Sequence, residues 1–460
     1  MTHAVTHIGG HEIDRTDAAR RRCSRDAWPR IKKLEQSGQD PPLVDGVVTP
    51  NSPEAVAAIL AEGAARGTAL LPVGLRSGIC GGIAPLGDEI AIDLSALNRI
   101  EEIDEQSLWV RTQAGVCGRD LENALRPRRL TLGHFPQSLH ISSVGGWIAT
   151  RSTGLASTRY GGIEQQLLSL KVALPDGTLV ETPCWPRASV GPDLAQLFVG
   201  SEGAFGVICA ATLRIRRQPQ ARLLEAWEVP SFTDGLDAIR DCLADGLVPA
   251  VVRLYNADEA IRFSQQGVES LLILAHEGLP QLVDCERALV AERLRSRGGI
   301  ALDDSPAKAW WTHRYDASAL LQYSDRPGGV ADAIEVAADW TRIHRLVERL
   351  EHALRPSCTT FHMHASHFYA QGASAYLIVY LDGEDSAEAV RLYDAAWAAA
   401  MQICIDEGAA ISHHHGIGRV RAQWLAPSLG SATPLLQRVR DAINHEGTLS
   451  IGHLDPVHVR

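Results

Sequence analysis

Three adjacent histidines, His413, His414 and His415, are the residues of this sequence best suited to chemistry. Gly416 and Gly418 follow them in the run ISHHHGIGRV, so the backbone there can turn tightly or approach a ligand closely. Imidazole has an ordinary pKa of about 6.5 and is also a common metal ligand. The triplet is therefore compatible with an acid/base site, a metal site or a solvated loop.

A second set of histidines, His362, His364 and His367, lies in the run FHMHASHFY. His362 and His364 are two residues apart, so on a strand their side chains share one face, with His367 nearby. Together with His414 they could form a zinc site made of histidines alone. We predict proton transfer and no bound metal, and the sequence leaves the metal alternative open.

Four segments are rich in glycine and small polar residues: 70–82, 134–154, 159–177 and 199–215. Free backbone N–H groups in such loops can bind phosphate groups. Any one of these segments could be an ordinary turn. Their number and order favour a cradle for a phosphate-bearing cofactor.

The elements that must position these residues indicate an α+β protein. Regular structure is predicted from about residue 44, after a polar N-terminal arm. A helix over 53–67 has Asn51 or Ser52 as its cap. The run LLSLKVALPDGTLVET is predicted to be a hairpin that turns at Asp176-Gly177.

The 460 residues exceed the roughly 250–300 that one core usually holds, so more than one lobe is expected. A polar run at 216–229 marks a boundary. The second lobe is predicted to contain strands near 250–254, 271–275 and 374–381, and long helices near 331–354 and 385–408. The predicted segments are an N-terminal arm (1–40), a cofactor-binding domain (41–217), a substrate or cap domain (218–410) and a C-terminal segment (411–460).

Composition excludes several classes of partner. The formal net charge of −11 argues against nucleic acid and membrane surfaces, which are themselves anionic. No apolar run approaches the about 18 residues of a membrane span, and no secretory signal is visible. The nine cysteines contain no CxxC pair, which favours free thiols in the cytoplasm. We expect a small-molecule substrate, and a homodimer is possible.

The motifs also carry a resemblance. The stretches that carry it are GHFPQSLHISSVGGWIATRSTGLASTRYG, VGSEGAFGVI, VVRLYNADEA, AIEVAADW, SHFYAQGASAYL and SHHHGIGRVRAQWL. Over about residues 40–454 the chain resembles the vanillyl-alcohol-oxidase (PCMH-type) family of FAD-binding flavoproteins, and within it the alkyldihydroxyacetonephosphate synthase (alkylglycerone-phosphate synthase) branch. The resemblance implies a two-lobed PCMH-type FAD-binding domain, an α+β cap domain, and a C-terminal segment that returns to the FAD domain.

The resemblance also implies the residues that bind FAD. The loop 72–79 should hold the pyrophosphate, and Glu202 with 206–208 should lie near the adenine end or diphosphate. The implied FAD-binding residues are Pro72, Val73, Gly74, Leu75, Arg76, Ser77, Gly78, Ile79, Pro136, Ser138, Ser142, Ser143, Gly145, Gly146, Thr150, Ser152, Tyr160, Glu202, Gly206, Val207 and Ile208.

The loop departs from the family at two points. Where the family has a Gly-Gly-Gly-Thr-Ser core, this chain has Gly74-Leu75-Arg76-Ser77-Gly78. Arg76 lacks the backbone freedom of a glycine, but its guanidinium could neutralise the diphosphate. Some relatives attach FAD through a histidine in this loop, whereas Cys80 or a neighbour stands at that position here. We predict that FAD is bound non-covalently and that Cys80 is an ordinary buried thiol.

The family's catalytic residues are carried over by position. Its active-site tyrosine matches Tyr376, its histidines match His413, His414 and His415, and its arginine matches Arg253. These five residues are the predicted catalytic set. We expect the tyrosine and the histidines to move protons beside the flavin.

Two further matches concern a metal and the substrate. FAD-dependent D-2-hydroxyacid dehydrogenases, a related branch, hold a divalent metal with two histidines and a glutamate. In this chain His367 matches the first histidine, Tyr376 stands at the position of the second, and His414 stands at the position of the glutamate. His364 stands where the synthases have an arginine for the substrate phosphate. We predict that His364 and His367 bind substrate.

Three functions are compatible with these residues. The preferred one is an FAD-dependent oxidoreductase that passes a hydride from an alcohol or 2-hydroxy acid to FAD, because the phosphate-binding arginine is missing. The second is alkyldihydroxyacetonephosphate synthase, in which the resemblance implies a flavin N5 adduct and ether formation without net redox change. The third is a flavin-binding protein without turnover.

Overall fold

The computed structural model describes residues 6–264, 267–449 and 454. The strands are β1 His7–Ile8, β2 His11–Glu12, β3 Gly46–Val48, β4 Leu70–Val73, β5 Ile90–Asp93, β6 Ile100–Asp104, β7 Trp109–Gln113, β8 Leu130–Thr131, β9 Leu167–Ala173, β10 Leu179–Glu181, β11 Val207–Arg214, β12 Arg216–Arg217, β13 Ala221–Val229, β14 Val251–Asn256, β15 Ser270–Gly278, β16 Ile300–Ala301, β17 Gly329–Asp339, β18 Thr360–Tyr369 and β19 Gly372–Asp382.

The helices lie between and on top of these strands. They are α1 Asp17–Cys23, α2 Pro29–Gln36, α3 Pro53–Arg66, α4 Gly118–Leu125, α5 Val144–Ala149, α6 Ser157–Tyr160, α7 Ile163–Gln166, α8 Phe232–Ala244, α9 Ala257–Ala260, α10 Pro280–Ser296, α11 Ser305–His313, α12 Ser318–Tyr323, α13 Ile343–Leu354, α14 Ser386–Glu407, α15 Gly418–Leu429 and α16 Thr433–Ile443. None of the helices in the described ranges has the length and apolar composition needed to cross a membrane.

Three sheets organise the two lobes. In the first lobe, β3, β5 and β4 form a parallel sheet, and β10, β9, β11, β7 and β6 form a second, antiparallel sheet. In the second lobe a seven-stranded sheet has the order β16-β13-β15-β14-β18-β19-β17. This mixed architecture confirms the predicted α+β class.

Several local signals in both lobes are confirmed. Helix α3 is capped by Ser52, whose hydroxyl accepts a hydrogen bond from the Ala55 N–H at 3.1 Å. It ends at Gly67, which has a φ of +63° that favours glycine. Strands β9 and β10 form the predicted hairpin. Helix α14, from 386 to 407, confirms the long helix predicted near 385–408.

Residues 6–43 contain more regular structure than predicted. Instead of a polar arm without regular structure before residue 44, they form β1, β2, α1 and α2. Helix α2 packs on α14, and its Lys33 is fully buried with Nζ donating to Gln36 Oε1 at 2.7 Å and to the carbonyls of Arg326 and Pro327. Charged residues in this segment indicate exposure in the sequence. The buried ammonium of Lys33 is nevertheless tolerated, because backbone carbonyls accept its hydrogen bonds.

The helix predicted over 331–354 is wrong in its first half. Residues 329–339 form strand β17 at one edge of the seven-stranded sheet, and α13 begins only at Ile343. The run VADAIEVAAD is rich in alanine and buried on both faces, so its periodicity does not separate a strand from a helix. This error matters because β17 carries Glu335, which lies at the centre of the site described below.

The C-terminal segment returns to the first lobe, as predicted. Leu425 of α15 is part of the core of the first lobe, and Leu436, Val439 and Ile443 of α16 pack against it. The Leu70 N–H donates to the Thr448 carbonyl at 2.8 Å. The histidine triplet therefore lies in a loop that links the cap sheet to the first lobe.

Candidate active site

Strand register places the candidate residues in one row across the cap sheet. Tyr255 of β14 lies opposite His364 of β18, His364 lies opposite Tyr376 of β19, and Tyr376 lies opposite Glu335 of β17. Residues directly opposite each other project from the same face of a sheet. Arg253 shares that face because it is two residues from Tyr255.

The Tyr376 hydroxyl is the centre of the site. It lies 3.0 Å from Nε2 of His414 and 3.0 Å from Nε2 of His367. The ring of His364 stacks on the Tyr376 ring, with centroids 4.5 Å apart. Strand β18 has a bulge at His367, whose φ of +56° turns its side chain towards Tyr376. The structure thus brings Tyr376, His414 and His367 together.

The triplet loop is anchored by a buried ion pair, Glu335 with Arg421, in which both side chains are completely buried. The Glu335 carboxylate accepts hydrogen bonds from the backbone N–H of His413, from that of His415 at 3.0 Å and from the Ser412 hydroxyl at 2.9 Å. Arg421 Nη2 donates to the same carboxylate at 3.1 Å. Burial opposes ionisation, but Arg421 and these donors outweigh it and lower the pKa of Glu335.

Burial lowers the pKa values of the three histidines of the triplet, so their imidazoles are neutral bases. It lowers the pKa of His413, lowers that of His414 well below 6.5, and lowers that of His415 to about 4. The pKa of His367 is also lowered well below 6.5, mainly by burial. At neutral pH all four imidazoles are therefore neutral and each can accept a proton.

Arg253 contributes the positive charge of the site. Its Nε donates to the Tyr255 hydroxyl at 3.2 Å, and its Nη2 donates to His364 Nε2 at 3.1 Å. His364 Nδ1 in turn donates to Glu259 Oε2 at 2.8 Å. Within the described part of the chain, no carboxylate lies within 4 Å of the Arg253 guanidinium. The guanidinium therefore keeps N–H groups for an anion.

Three histidines have metal-ligand spacing. One ligand nitrogen each from His367, His413 and His414 lie within 4.8 Å of one another. Of the upstream histidines, His364 is instead held between Arg253 and Glu259. The absence of metal stays a prediction.

The predicted pyrophosphate loop meets a second predicted segment. A side chain at Gly74 would lie 2.9 Å from the Ser143 hydroxyl, so glycine leaves room between the loop and the start of α5. Arg76 lacks the backbone freedom of a glycine, yet it adopts a φ of +64°, in the left-handed region that favours glycine. Its guanidinium lies 3.7 Å from Asp93. The small residues and the arginine fit an extended, phosphate-bearing FAD.

Other predicted FAD residues have partners within the protein. The Ser142 hydroxyl accepts from Trp147 Nε1 at 2.7 Å, and the Thr150 hydroxyl donates to the Gly146 carbonyl at 3.0 Å. Ser143 caps α5. Val207 and Ile208 lie in the core as part of β11. Their predicted cofactor contacts therefore have to come from backbone atoms or from a change of side-chain partner.

Two predicted FAD residues connect parts of the fold. The Glu202 carboxylate accepts from the backbone N–H of Ile417 at 2.6 Å and of Gly418 at 3.1 Å, so it fixes the loop that follows the triplet. The Tyr160 hydroxyl donates to Glu277 of the cap sheet at 2.7 Å. Cys80 is buried as predicted, burial raises the pKa of its thiol, and its Sγ accepts from Arg421 Nη1 at 2.9 Å. The absence of a bond from Cys80 to the flavin stays a prediction.

Sequence reasoning missed the residues that hold the candidate site residues in place. Glu335, Glu259 and Tyr369 are absent from the predicted set, yet each contacts a member of it or its backbone, and Arg421 pairs with Glu335. The available signal was a carboxylate inside an apolar run, as Glu335 is in AIEVAAD. Such a group is rarely buried without a partner, and the basic run after the triplet supplies one.

Comparison with known proteins defines the class. The model "FAD binding domain" matches residues 44–183, and the model "FAD linked oxidases, C-terminal domain" matches residues 218–453, about half of the chain. The chain therefore belongs to the FAD-linked oxidase family of flavoproteins, with a PCMH-type fold and FAD as its cofactor.

Particular relatives come from two groups. Alkyldihydroxyacetonephosphate synthase of Trypanosoma brucei brucei is 27% identical over 94% of this chain and 76% of its own. A solved alkyldihydroxyacetonephosphate synthase has a TM-score of 0.79 at 23% identity, over 95% of this chain and 82% of its own. A probable mitochondrial D-lactate dehydrogenase of Danio rerio is 26% identical over 86% of this chain and 82% of its own. The family is thus established, and the reaction has to be argued from the site.

Proposed function

We propose that the protein oxidises an alcohol, preferably a 2-hydroxy acid, with FAD as the hydride acceptor. The observation that carries this proposal is the Tyr376 hydroxyl, which lies 3.0 Å from each of two neutral imidazoles. Arg253 lies on the same sheet face, and within the described residues its guanidinium bonds Tyr255 and His364 but no carboxylate. An alcohol that loses a hydride must also lose its hydroxyl proton, and these groups are suited to take it.

Proton acceptance is assigned to Tyr376 together with His367 and His414. Burial raises the pKa of Tyr376, so its hydroxyl stays protonated and can accept a proton only while passing its own to a neighbour. The low pKa of His367 and His414 keeps both imidazoles neutral, so the one that accepts from the Tyr376 hydroxyl can receive this proton. The three side chains therefore act as one base.

Substrate charge is assigned to Arg253. Its free N–H groups suit a carboxylate, which guanidinium binds with two parallel hydrogen bonds. The position of the synthases' phosphate-binding arginine holds His364, which is bonded to the Glu259 carboxylate. A negative group beside this position disfavours a phosphate dianion and favours a substrate with a single carboxylate at Arg253.

FAD supplies the electron-accepting centre when bound. The residues that would hold it are the 72–79 loop with Arg76, and Ser143 with the small residues at the start of α5. Glu202 fixes the loop after the triplet on the same lobe, so that cofactor and histidines are positioned by one set of contacts.

The test is a panel of compounds added without oxygen to the purified holoprotein. Loss of the yellow flavin absorbance with an alcohol or a hydroxy acid supports the proposal. Absence of bleaching with every alcohol and hydroxy acid, together with a spectral change with acyl-dihydroxyacetone phosphate, contradicts it.

The second candidate is alkylglycerone-phosphate synthase activity. It is supported by the likeness to synthases over nearly the whole chain, and by the matching positions of Tyr376 and the triplet. It predicts consumption of acyl-dihydroxyacetone phosphate and a long-chain alcohol to give an ether, with no net flavin reduction. The same panel separates the two candidates.

Location and assembly are part of the same proposal. All nine cysteines are free thiols, which supports a cytoplasmic protein. We also propose a homodimer acting on a small molecule. Fractionation of cells and light scattering of the purified protein test these two statements.

A further inference from the structure

Six side chains form a continuous hydrogen-bonded chain with Tyr376 in its middle. On one side Tyr376 bonds His414, His413 Nδ1 bonds His414 Nδ1, and His413 Nε2 bonds the Tyr369 hydroxyl. On the other side Tyr376 bonds His367, whose Nδ1 bonds the Ser157 hydroxyl. The successive distances from Tyr369 to Ser157 are 2.8, 2.9, 3.0, 3.0 and 2.7 Å.

Both ends of this chain reach the same place. Ser157 and Tyr369 line a solvent-open cavity of about 280 Å³, together with Thr158, Gln165 and Gln371. The hydroxyl and amide groups of this lining are able to hold water. Tyr376, in contrast, is buried, and the oxidation proposed above releases a proton beside it.

Neutral imidazoles permit two arrangements of the protons in this chain. Each neutral imidazole donates at one nitrogen and accepts at the other, and each hydroxyl donates once. All bonds can therefore run from Tyr369 towards Ser157, or all can run from Ser157 towards Tyr369. In either arrangement Tyr376 accepts from one histidine and donates to the other, so one side always leads outward.

We propose that two proton paths connect Tyr376 with the cavity, one through His414 and His413 to Tyr369, and one through His367 to Ser157. This inference rests on the proposed alcohol oxidation. In that reaction the substrate carbon gives a hydride to FAD and the substrate oxygen gives a proton to Tyr376. Each member of the outward path then accepts one proton and donates one, and the last hydroxyl releases a proton to water in the cavity.

Tyr369 and Ser157 are thus positioning residues that act through Tyr376. Single and double substitutions of their hydroxyl groups should change the proton-transfer rate differently. Tyr369→Phe or Ser157→Ala closes one path only, so each single variant is expected to keep at least about a third of the wild-type proton-transfer rate. The double variant closes both paths and is expected to lose about tenfold or more. A purely structural role predicts instead that the two effects add.

Proton uptake during reduction of the bound FAD by methyl viologen radical measures this rate without any substrate, because oxidation of the viologen exchanges no proton and each flavin reduced by two electrons must take its proton from the protein. Stopped-flow absorbance of a pH indicator in weakly buffered holoprotein follows the proton, and flavin absorbance in the same mixture reports FAD content and reduction. Because no substrate is needed, the outcome is independent of the compound panel. If no alcohol bleaches the flavin but the double variant is slow, the paths stand and the proposed reaction fails.

Two controls complete the experiment. Tyr323→Phe removes a hydroxyl that bonds Asp382 elsewhere in the cap domain, and it is expected to behave as wild type. Ser157→Thr combined with Tyr369→Phe restores one hydroxyl and is expected to match Tyr369→Phe alone. A double variant that takes up protons at the wild-type rate overturns the proposal, and so does one single variant that loses as much as the double variant.

Discussion

Replacement of Glu335 by glutamine tests how the triplet loop is held. The two carboxylate oxygens accept from the Ser412 hydroxyl, the His413 and His415 N–H groups and Arg421. Glutamine has only one acceptor oxygen. Its NH₂ group must therefore face either the His413 N–H, which bonds one carboxylate oxygen, or the Ser412, His415 and Arg421 donors, which bond the other. At least one charge-assisted bond is lost, and Arg421 is left buried without its counter-ion.

The magnitude follows from these losses. Losing a hydrogen bond to a charged group removes about 1.5–3 kcal/mol, and removing one partner of a buried ion pair destabilises by about 3–5 kcal/mol in total. Glu335→Gln should therefore lower the free energy of unfolding by about 3–5 kcal/mol. Denaturant unfolding of the holoprotein, followed by tryptophan fluorescence and by flavin fluorescence, measures this change.

A matched control uses a surface glutamate with two cationic partners. Glu181 contacts Arg111 and Lys171 and is well exposed, so Glu181→Gln should change the free energy of unfolding by less than about 1 kcal/mol. Equal effects of Glu335→Gln and Glu181→Gln would refute the reasoning, because the buried pair would then stabilise no more than a surface one.

Three further predictions concern the cofactor and pH. Acid precipitation should release intact FAD into the supernatant; flavin retained in the pellet would indicate a covalent bond, with Cys80 as the first residue to test. Arg76→Ala should weaken FAD binding by about 1.5–3 kcal/mol if the guanidinium bonds the diphosphate. An unchanged FAD affinity in a titration would show that the guanidinium interacts with Asp93 and not with the cofactor. The folded-state pKa of His415 is about 4, below the ordinary 6.5, so unfolded chains bind more protons between these values. Stability should therefore fall as pH decreases from about 6.5 to about 4, and a His415→Gln variant should show a shallower fall in unfolding titrations.

The sequence was sufficient for the parts of the site that have local signals. The triplet with its glycines, Tyr376 and Arg253 were found because the family motifs that contain them are contiguous. The structure brings Tyr376 and His414 to 3.0 Å from each other, although 38 residues separate them. The cap of α3 at Ser52 was predictable for the same reason, since its signal is contained in four residues.

The remaining parts depend on contacts between distant segments. Glu335 stabilises the triplet from a strand whose alternation is hidden by alanine, and its partner Arg421 lies 86 residues further along the chain. Lys33 gave no sign of burial, because the carbonyls that bind it belong to residues 326 and 327. Long-range pairing of this kind leaves no periodic pattern in a single sequence.

The most direct test of the central claim compares wild type and Tyr376→Phe for the anaerobic rate of flavin bleaching by the best substrate of the panel, with metal content measured on both. Our account predicts full FAD occupancy, wild-type protein that is active without stoichiometric metal, and a rate about 10²–10⁴ lower in Tyr376→Phe. His414→Ala should behave similarly. An unchanged rate in Tyr376→Phe would contradict proton transfer through this hydroxyl. One metal ion per chain, whose removal by a chelator abolishes bleaching, would contradict the metal-free site, and His367, His413 and His414 would be the first ligands to test by substitution.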